Sequence, residues 1–354
     1  MKKGWKIVIG ILIGLLAVVV LAAGAFLVLT LFEYKPADTE AVTVPNGTSV
    51  VKVGDELVIM TYNVGYAGLG DVEDFFMDGG TKTRPDSKEI VMNNLTGIIN
   101  ELKAQNADIY LLQEADLDSR RSYRTDETVL ISEALGLPFD FAYNFNSVFT
   151  PIPFPDMMGR VMSGLAVFTG LKVDSAERIS LPCPFSWPVR AFNLKRCLLV
   201  NRIPIEGSDK ELVVIDLHLE AYDDGEGKIA QTKALYEILK AESAKGNYVI
   251  VGGDFNQTFP GADRFEPIEE GLWAPGTLSN DLPDGYSFVF DAGTPTCRSL
   301  DQPLTTNPDP QYYIIDGFIV SSNVSVSSLE VIKTGFKNSD HQPLRLVVTL
   351  SADD

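Results

Sequence analysis

The chain opens with one long apolar run and then breaks into many short ones. Residues 7–32 carry no charge. At helical rise they reach roughly 39 Å, against about 30 Å for a bilayer core, which predicts one membrane-spanning helix. Short apolar, mostly β-branched runs follow at 57–62, 108–112, 164–169, 196–203, 212–217, 248–252, 312–320 and 344–350. Runs of this length predict strands, most of them buried on both faces. Helical spacing separates some of them. Val91, Leu95, Ile98 and Leu102 form one stripe over 86–105, opened by Asp86 as cap and Glu89 as closer of a capping box. A second helix is expected over 227–244, with Ile229, Leu235, Ile238 and Leu239 inward, and a third over 126–135.

Strands alternating with helices, then strands alone, predict an α/β body with two packed sheets. The order is a basic stub at 1–6, the anchor at 7–32, a turn-rich linker at 33–55, the body at 56–350 and a tail at 351–354. Lys2, Lys3 and Lys6 precede the apolar run and Glu33 follows it, which predicts a cytoplasmic N-terminus and an extracytoplasmic body at the cell membrane. A cleaved signal peptide at Ala23-Gly24-Ala25 is the competing reading, but the apolar run continues through Phe32. Long loops at 65–85, 144–162 and 257–287 are expected to carry function.

Charge narrows the choice of partner. Forty-eight Asp and Glu against 29 Lys and Arg leave −19, the opposite of the footprint a bulk nucleic-acid binder needs. Three cysteines with no CxxC exclude a disulfide scaffold and a zinc knuckle, and leave a Cys183–Cys197 bridge open.

Four predicted strands end on chemically capable residues: Asn63, Gln113-Glu114, His218, and Asp254 with Asn256 two residues on. If those ends share an edge, the side chains converge in one cleft. The only two histidines, His218 and His341, both stand in acidic settings beside apolar strands. Asp316 interrupts an apolar run, where a carboxylate is costly unless paired; orienting a histidine would account for it.

In this order, TYNV, LLQE, DLHL, GGDFN, IIDGFIV and SDH resemble the motifs of the endonuclease/exonuclease/phosphatase superfamily. The resemblance spans about residues 56–350. It implies a two-layer β-sandwich flanked by helices and hydrolysis of a phosphate ester assisted by Mg²⁺, with Mn²⁺ as an alternative. It assigns Glu114, Asn63 and Asp340 to the metal, Asp254 and Asn256 to the attacking water, His218 and His341 to the phosphoryl group, and Asp316 to His341. It also offers Tyr143, with a core role as the alternative, and Thr296 and Arg298 as substrate contacts; Arg120 and Arg121, close after Glu114, could bind a second phosphate or acidic head group or be a solvated pair near Asp116 and Asp118. Which histidine is acid or base, and whether one or two metals act, stays open.

The implied partner is a phosphate-ester substrate, lipid or nucleic acid, with the membrane reached through residues 7–32. A phosphodiester ranks before a phosphomonoester. No basic track for duplex DNA is evident, and loop 65–85 carries Asp71, Glu73, Asp74 and Asp78. The segment 149–158 is apolar and Pro-rich, fit for a lipid-facing lip or a packed loop. A Ser or Cys hydrolase is disfavoured because GxSxG is missing. A catalytically dead scaffold on the same fold is the remaining rival.

Overall fold

The computed structural model describes residues 2–44, 46–223, 225–266 and 273–351. The predicted tail therefore lies outside the described residues apart from Ser351, and so does part of the 257–287 loop.

Among the described residues, fourteen strands build two sheets packed face to face. The larger runs Thr39–Val42, Ser175–Ser180, Cys197–Glu206, Glu211–His218, Tyr248–Asp254, Asp316–Ser321, Tyr286–Val289, with Val51–Lys52 also pairing to Cys197–Glu206. The smaller runs Val324–Val331, Leu344–Leu350, Glu56–Asn63, Ile109–Asp116, Gly159–Thr169, Phe139–Thr150. Ile59, Leu111, Val167, Leu199, Val214, Ile250, Phe318 and Leu346 interdigitate between them as the central core. The helix Lys88–Gln105 lays Val91, Leu95, Ile98 and Leu102 on the outer face of the smaller sheet, and Glu226–Ser243 covers the larger sheet with Leu235 and Leu239. This is the α/β sandwich flanked by helices.

Several local expectations are corrected. Ser87, not Asp86, caps the first body helix, accepting from the Ile90 N–H at 3.4 Å. Ile229 is exposed, because the inward stripe of its helix runs through Gly227, Lys228, Gln231, Thr232, Leu235 and Leu239 and leaves position 229 on the outer face. Segment 144–162, expected to be a loop, is largely a hairpin of Phe139–Thr150 and Gly159–Thr169, its sheet pattern hidden by interspersed Asn and Ser. Residues 33–55 are not a free linker: Thr39–Val42 and Val51–Lys52 extend the larger sheet. All three cysteines are free.

The N-terminal helix, Lys2–Leu31, contains a stretch, Lys3–Leu31, long and apolar enough to cross a membrane, with mean hydropathy 3.0. Its end docks on the body. Leu29 packs with Ala191 and Phe192, the Trp187 Nε1–H donates to Thr30 Oγ1 at 2.9 Å, and Arg190 Nε lies 2.8 Å from Glu33 Oε1.

Register places the chemistry. Asn63 and Gln113 are paired across two parallel strands of one sheet. Asp254 is paired with His218 on its parallel neighbour and with Asp316 on its antiparallel one. Both groups lie at the same edge of the sandwich. Gly253, just before Asp254, has φ +147, and a Cβ there would meet the Leu217 carbonyl at 2.0 Å; only glycine lets the two strands close at this edge.

Candidate active site

Asn63 is the hub where the sheets meet. Its Oδ1 accepts the Gly65 N–H at 3.0 Å, which turns its amino group into the cleft. Nδ2 then donates to Asp254 Oδ2 at 3.0 Å and to Glu114 Oε1 at 3.4 Å, and lies 3.4 Å from His341 Nε2. Asn63 thus presents its amino group to the two carboxylates, beside the position expected for a metal or its bound water.

Glu114 reaches the cleft through a bulge. The ladder to Gly159–Thr169 shifts between Leu112 and Ala115, and Glu114 sits at φ +56, an unfavourable conformation for a branchless acid. Backbone strain of this kind collects at functional positions. Asn256 adopts φ +49, which Asn tolerates better; its N–H donates to Asp254 Oδ1 at 2.8 Å and its Nδ2 to the Leu219 carbonyl at 2.9 Å.

The two histidines flank Asp254 and differ in charge. His218 Nε2 is 3.4 Å and His341 Nε2 is 3.7 Å from Asp254 Oδ2. Burial, then the nearby Arg196, holds His218 well below the ordinary histidine range, so it is neutral. Burial is the largest effect on His341 and opposes its charge, but Asp316, with Oδ2 2.8 Å from Nδ1, and the further acids Asp340 and Asp254 together outweigh it and keep the ring protonated. Asp316 itself is fixed at its N–H by Thr296 Oγ1 at 3.1 Å. Thr296 supports the strand and does not line the cleft.

The acids crowd together. Burial, followed by repulsion from Asp316, pushes Asp254 up; burial pushes Asp340 up to about 6, with His341 opposing and Glu114 adding to the rise. Asp254, Asp316 and His341 form one group able to hold a metal ion, and Cys297, Asp340 and His341 form another. Burial raises the Cys297 thiol to about 12, so it stays protonated and offers little to a cation. The donors left are carboxylate oxygens, the set that suits a hard divalent ion. A cation here would also relieve the repulsion that raises Asp254 and Asp340.

The arginines divide. Arg121 lines the cleft but is committed: Nε and Nη2 donate to Asp116 at 3.2 and 3.0 Å, Nη1 is 3.7 Å from Glu114 Oε2, and the guanidinium stacks on Tyr66 at 3.7 Å. It positions Glu114. Arg298 donates to the carbonyls of Ser299 and Gly70 at 2.9 and 2.8 Å, holding loop 65–85 over the cleft. Arg120 bonds Asp156 at 2.7 Å, at the rim of the 149–158 segment.

Tyr143 is not brought to the site. Its ring packs on Tyr34 and Phe141, and the next residue, Asn144, lines the cleft instead. Strand neighbours face opposite sides, so an assignment one residue out selects the wrong face. Arg196 was missed altogether. It is buried and lines the cleft, yet its Nε and Nη1 have no hydrogen-bond partner among the described residues; Glu220 Oε2 is 3.6 Å from Nε. Arg196 therefore adds a further buried guanidinium to the cleft, ion-paired with Glu220. Its signal in the sequence, an Arg opening an apolar strand, is too common to single out.

The model of the Endonuclease/Exonuclease/phosphatase family matches residues 60–341. The chain belongs to this family. The family match begins just before Asn63 and ends on His341, so it encloses the whole cluster. Among solved structures, an endonuclease/exonuclease/phosphatase from Beutenbergia cavernae is similar at TM-score 0.57 and 17% identity, over 84% of this chain and 72% of that one. The human Nocturnin catalytic domain with bound sulfate has TM-score 0.54 and 18% identity, over 85% and 97%. ANGEL2, a 2′,3′-cyclic phosphatase solved with adenosine-2′,3′-vanadate, has TM-score 0.57 and 16% identity, over 88% and 100%. At these identities the likeness is one of fold. No curated protein matches the sequence.

Proposed function

We propose that this family member is a membrane-anchored phosphoesterase that uses a divalent cation, Mg²⁺ or Mn²⁺, and cleaves a phosphodiester, lipid or nucleic acid. The observation that carries the reading is the convergence on Asp254 of a neutral histidine, a cationic histidine and the Asn63 amide, with Glu114 beside them. Membership of a family of phosphate-ester hydrolases supports it.

Glu114 and Asp340 would hold the cation, which when bound supplies Lewis-acid stabilisation of charge on a phosphate oxygen. Asn63 and Arg121 fix the Glu114 carboxylate. Asp254 orients the attacking water and takes its proton; its raised affinity for protons suits that task. His341, kept cationic by Asp316, donates a hydrogen bond to a non-bridging phosphoryl oxygen as negative charge grows there. His218 is neutral and turns Nε2 to the same centre, with Nδ1 buried and without a hydrogen-bond partner among the described residues. Arg196 would receive a second phosphoryl oxygen.

The N-terminal helix supports an anchored enzyme, its N-terminus cytoplasmic by the lysine bias and its cleft on the opposite side. The full chain in detergent, given bis(p-nitrophenyl) phosphate with and without Mg²⁺, tests the chemistry. Turnover that EDTA abolishes and Mg²⁺ restores is expected. Metal-independent turnover, or none alongside no Mg²⁺ binding, contradicts it.

A further inference from the structure

Two loops beside the N-terminal helix expose side chains that water disfavours. On the 149–158 segment Phe154 is 85% exposed, with Phe149 and Ile152 also open. On the segment before Cys197, Trp187 is 56% exposed and Val189 is open. The loops are tied together, Thr150 Oγ1 donating to the Phe192 carbonyl at 3.2 Å. The second loop is also tied to the helix, Trp187 meeting the Phe26 ring at 6.5 Å between centroids and bonding Thr30, and it carries the first with it through the Thr150–Phe192 bond.

That attachment fixes the level of the patch. The uncharged run 7–32 exceeds a bilayer core by roughly 9 Å, so its last turns occupy the interfacial zone. Trp187 is held against those turns, at the depth where amphipathic aromatics collect. Arg190 and Lys195 meet Glu33 just beyond, with Lys35 beside them, at the level of lipid headgroups.

The same patch borders the catalytic cleft. Thr150, Ile152, Met158, Phe192 and Leu194 line the same cavity as Glu114, His218, Asp254 and His341. A substrate spanning the cavity meets acids and histidines with one part and an apolar wall with the other. A nucleic acid would need free cations along that rim, but Arg120 there is paired with Asp156, and the exposed side chains beside it are Ile152 and Phe154.

We infer that these two loops dip into the bilayer surface beside the helix, and that the substrate is a lipid with a phosphorylated headgroup, taken from the leaflet with its tails along the Ile152–Phe192 wall. The inference rests on the phosphoesterase reading for its substrate and on the helix docking for its surface.

The test uses the full chain in nanodiscs and vesicles, with Phe149→Asp/Phe154→Asp beside the parent. Both sites are exposed and outside the cleft. Hydrolysis of vesicle phospholipids should fall about ten-fold or more in the variant, the effect of losing two buried aromatics. Hydrolysis of bis(p-nitrophenyl) phosphate should stay within about two-fold, as for surface substitutions elsewhere. In parallel, bromine-labelled lipids should quench the emission of Trp187, read as the parent minus Trp187→Phe. Unchanged vesicle turnover, or an equal loss on both substrates, overturns the membrane role of the loops. Cleavage of oligonucleotides but not phospholipids overturns the lipid assignment. If the parent cleaves no phosphate ester, the functional reading and the lipid substrate fall together, and the quenching alone decides the surface: unquenched Trp187 overturns it.

Discussion

His341 Nδ1 lies 2.8 Å from Asp316 Oδ2, a buried pair joining the loop before the last strand to the first residue of a strand in the other sheet. The pair fixes the ring so that Nε2 faces Asp254 and Asn63, and it supplies the field that keeps the ring charged. Asp316→Asn keeps the shape and removes the field. It should lower kcat by about 10- to 100-fold while KM changes little, the usual cost of losing a carboxylate that orients a histidine. Steady-state kinetics check this; a change confined to KM would place Asp316 in substrate binding.

Arg196 is predicted to bind the phosphoryl group. Arg196→Met leaves the buried Glu220 carboxylate, 3.6 Å from Nε, without its ion partner, so melting temperature should fall. KM for a phosphate ester should increase by about 10- to 100-fold, the value of a charge-assisted hydrogen bond. A fall in melting temperature without a KM effect would make Arg196 structural, a partner of Glu220.

Much of the active cluster was legible because active-site types end apolar strands. Asn63, His218 and Asp254 are fixed by register to one edge, and a strand's end can be read from where its apolar run stops. Tyr143 against Asn144 could not be read that way: the facing side depends on a register set across two bulges in that hairpin. Arg196 was hidden because what marks it is burial in the cleft beside Glu220, a property of the fold. The 33–55 strands were hidden because short edge strands draw their stability from the neighbour they pair with, Ser175–Ser180 or Cys197–Glu206, more than from their own composition.

Asp140 gives the fold a pH dependence of its own, away from the cleft. It is buried beside Asn201 between the sheets, and burial raises it to about 8. The folded value lies above the unfolded one, about 3.9. Its contribution is therefore fully present below about pH 4 and is lost as pH rises toward 8. Asp140→Asn removes that loss. Its melting temperature should match the parent near pH 4 and exceed it by several degrees at pH 8, about what 1–2 kcal/mol gives in a chain this size. Melting curves across pH check this; a constant offset would contradict it.

Gly253 should be irreplaceable. Alanine there would press its Cβ on the Leu217 carbonyl at 2.0 Å, at a φ that L residues rarely adopt. Gly253→Ala should separate the Asp254 and His218 strands, with a loss of about 3 kcal/mol or more and of activity, measured by denaturant unfolding. Full stability with full activity would show that the sheets can part here at little cost.

The central claim is that Glu114 brings a divalent cation to the Asp254 centre. The most direct measurement is Mg²⁺ titration of the full chain by calorimetry, with bis(p-nitrophenyl) phosphate turnover on the same samples, for the parent and Glu114→Gln. The account predicts saturable Mg²⁺ binding that tracks turnover in the parent, and both greatly weakened in the variant. Equal Mg²⁺ binding and equal turnover in the two proteins would contradict it.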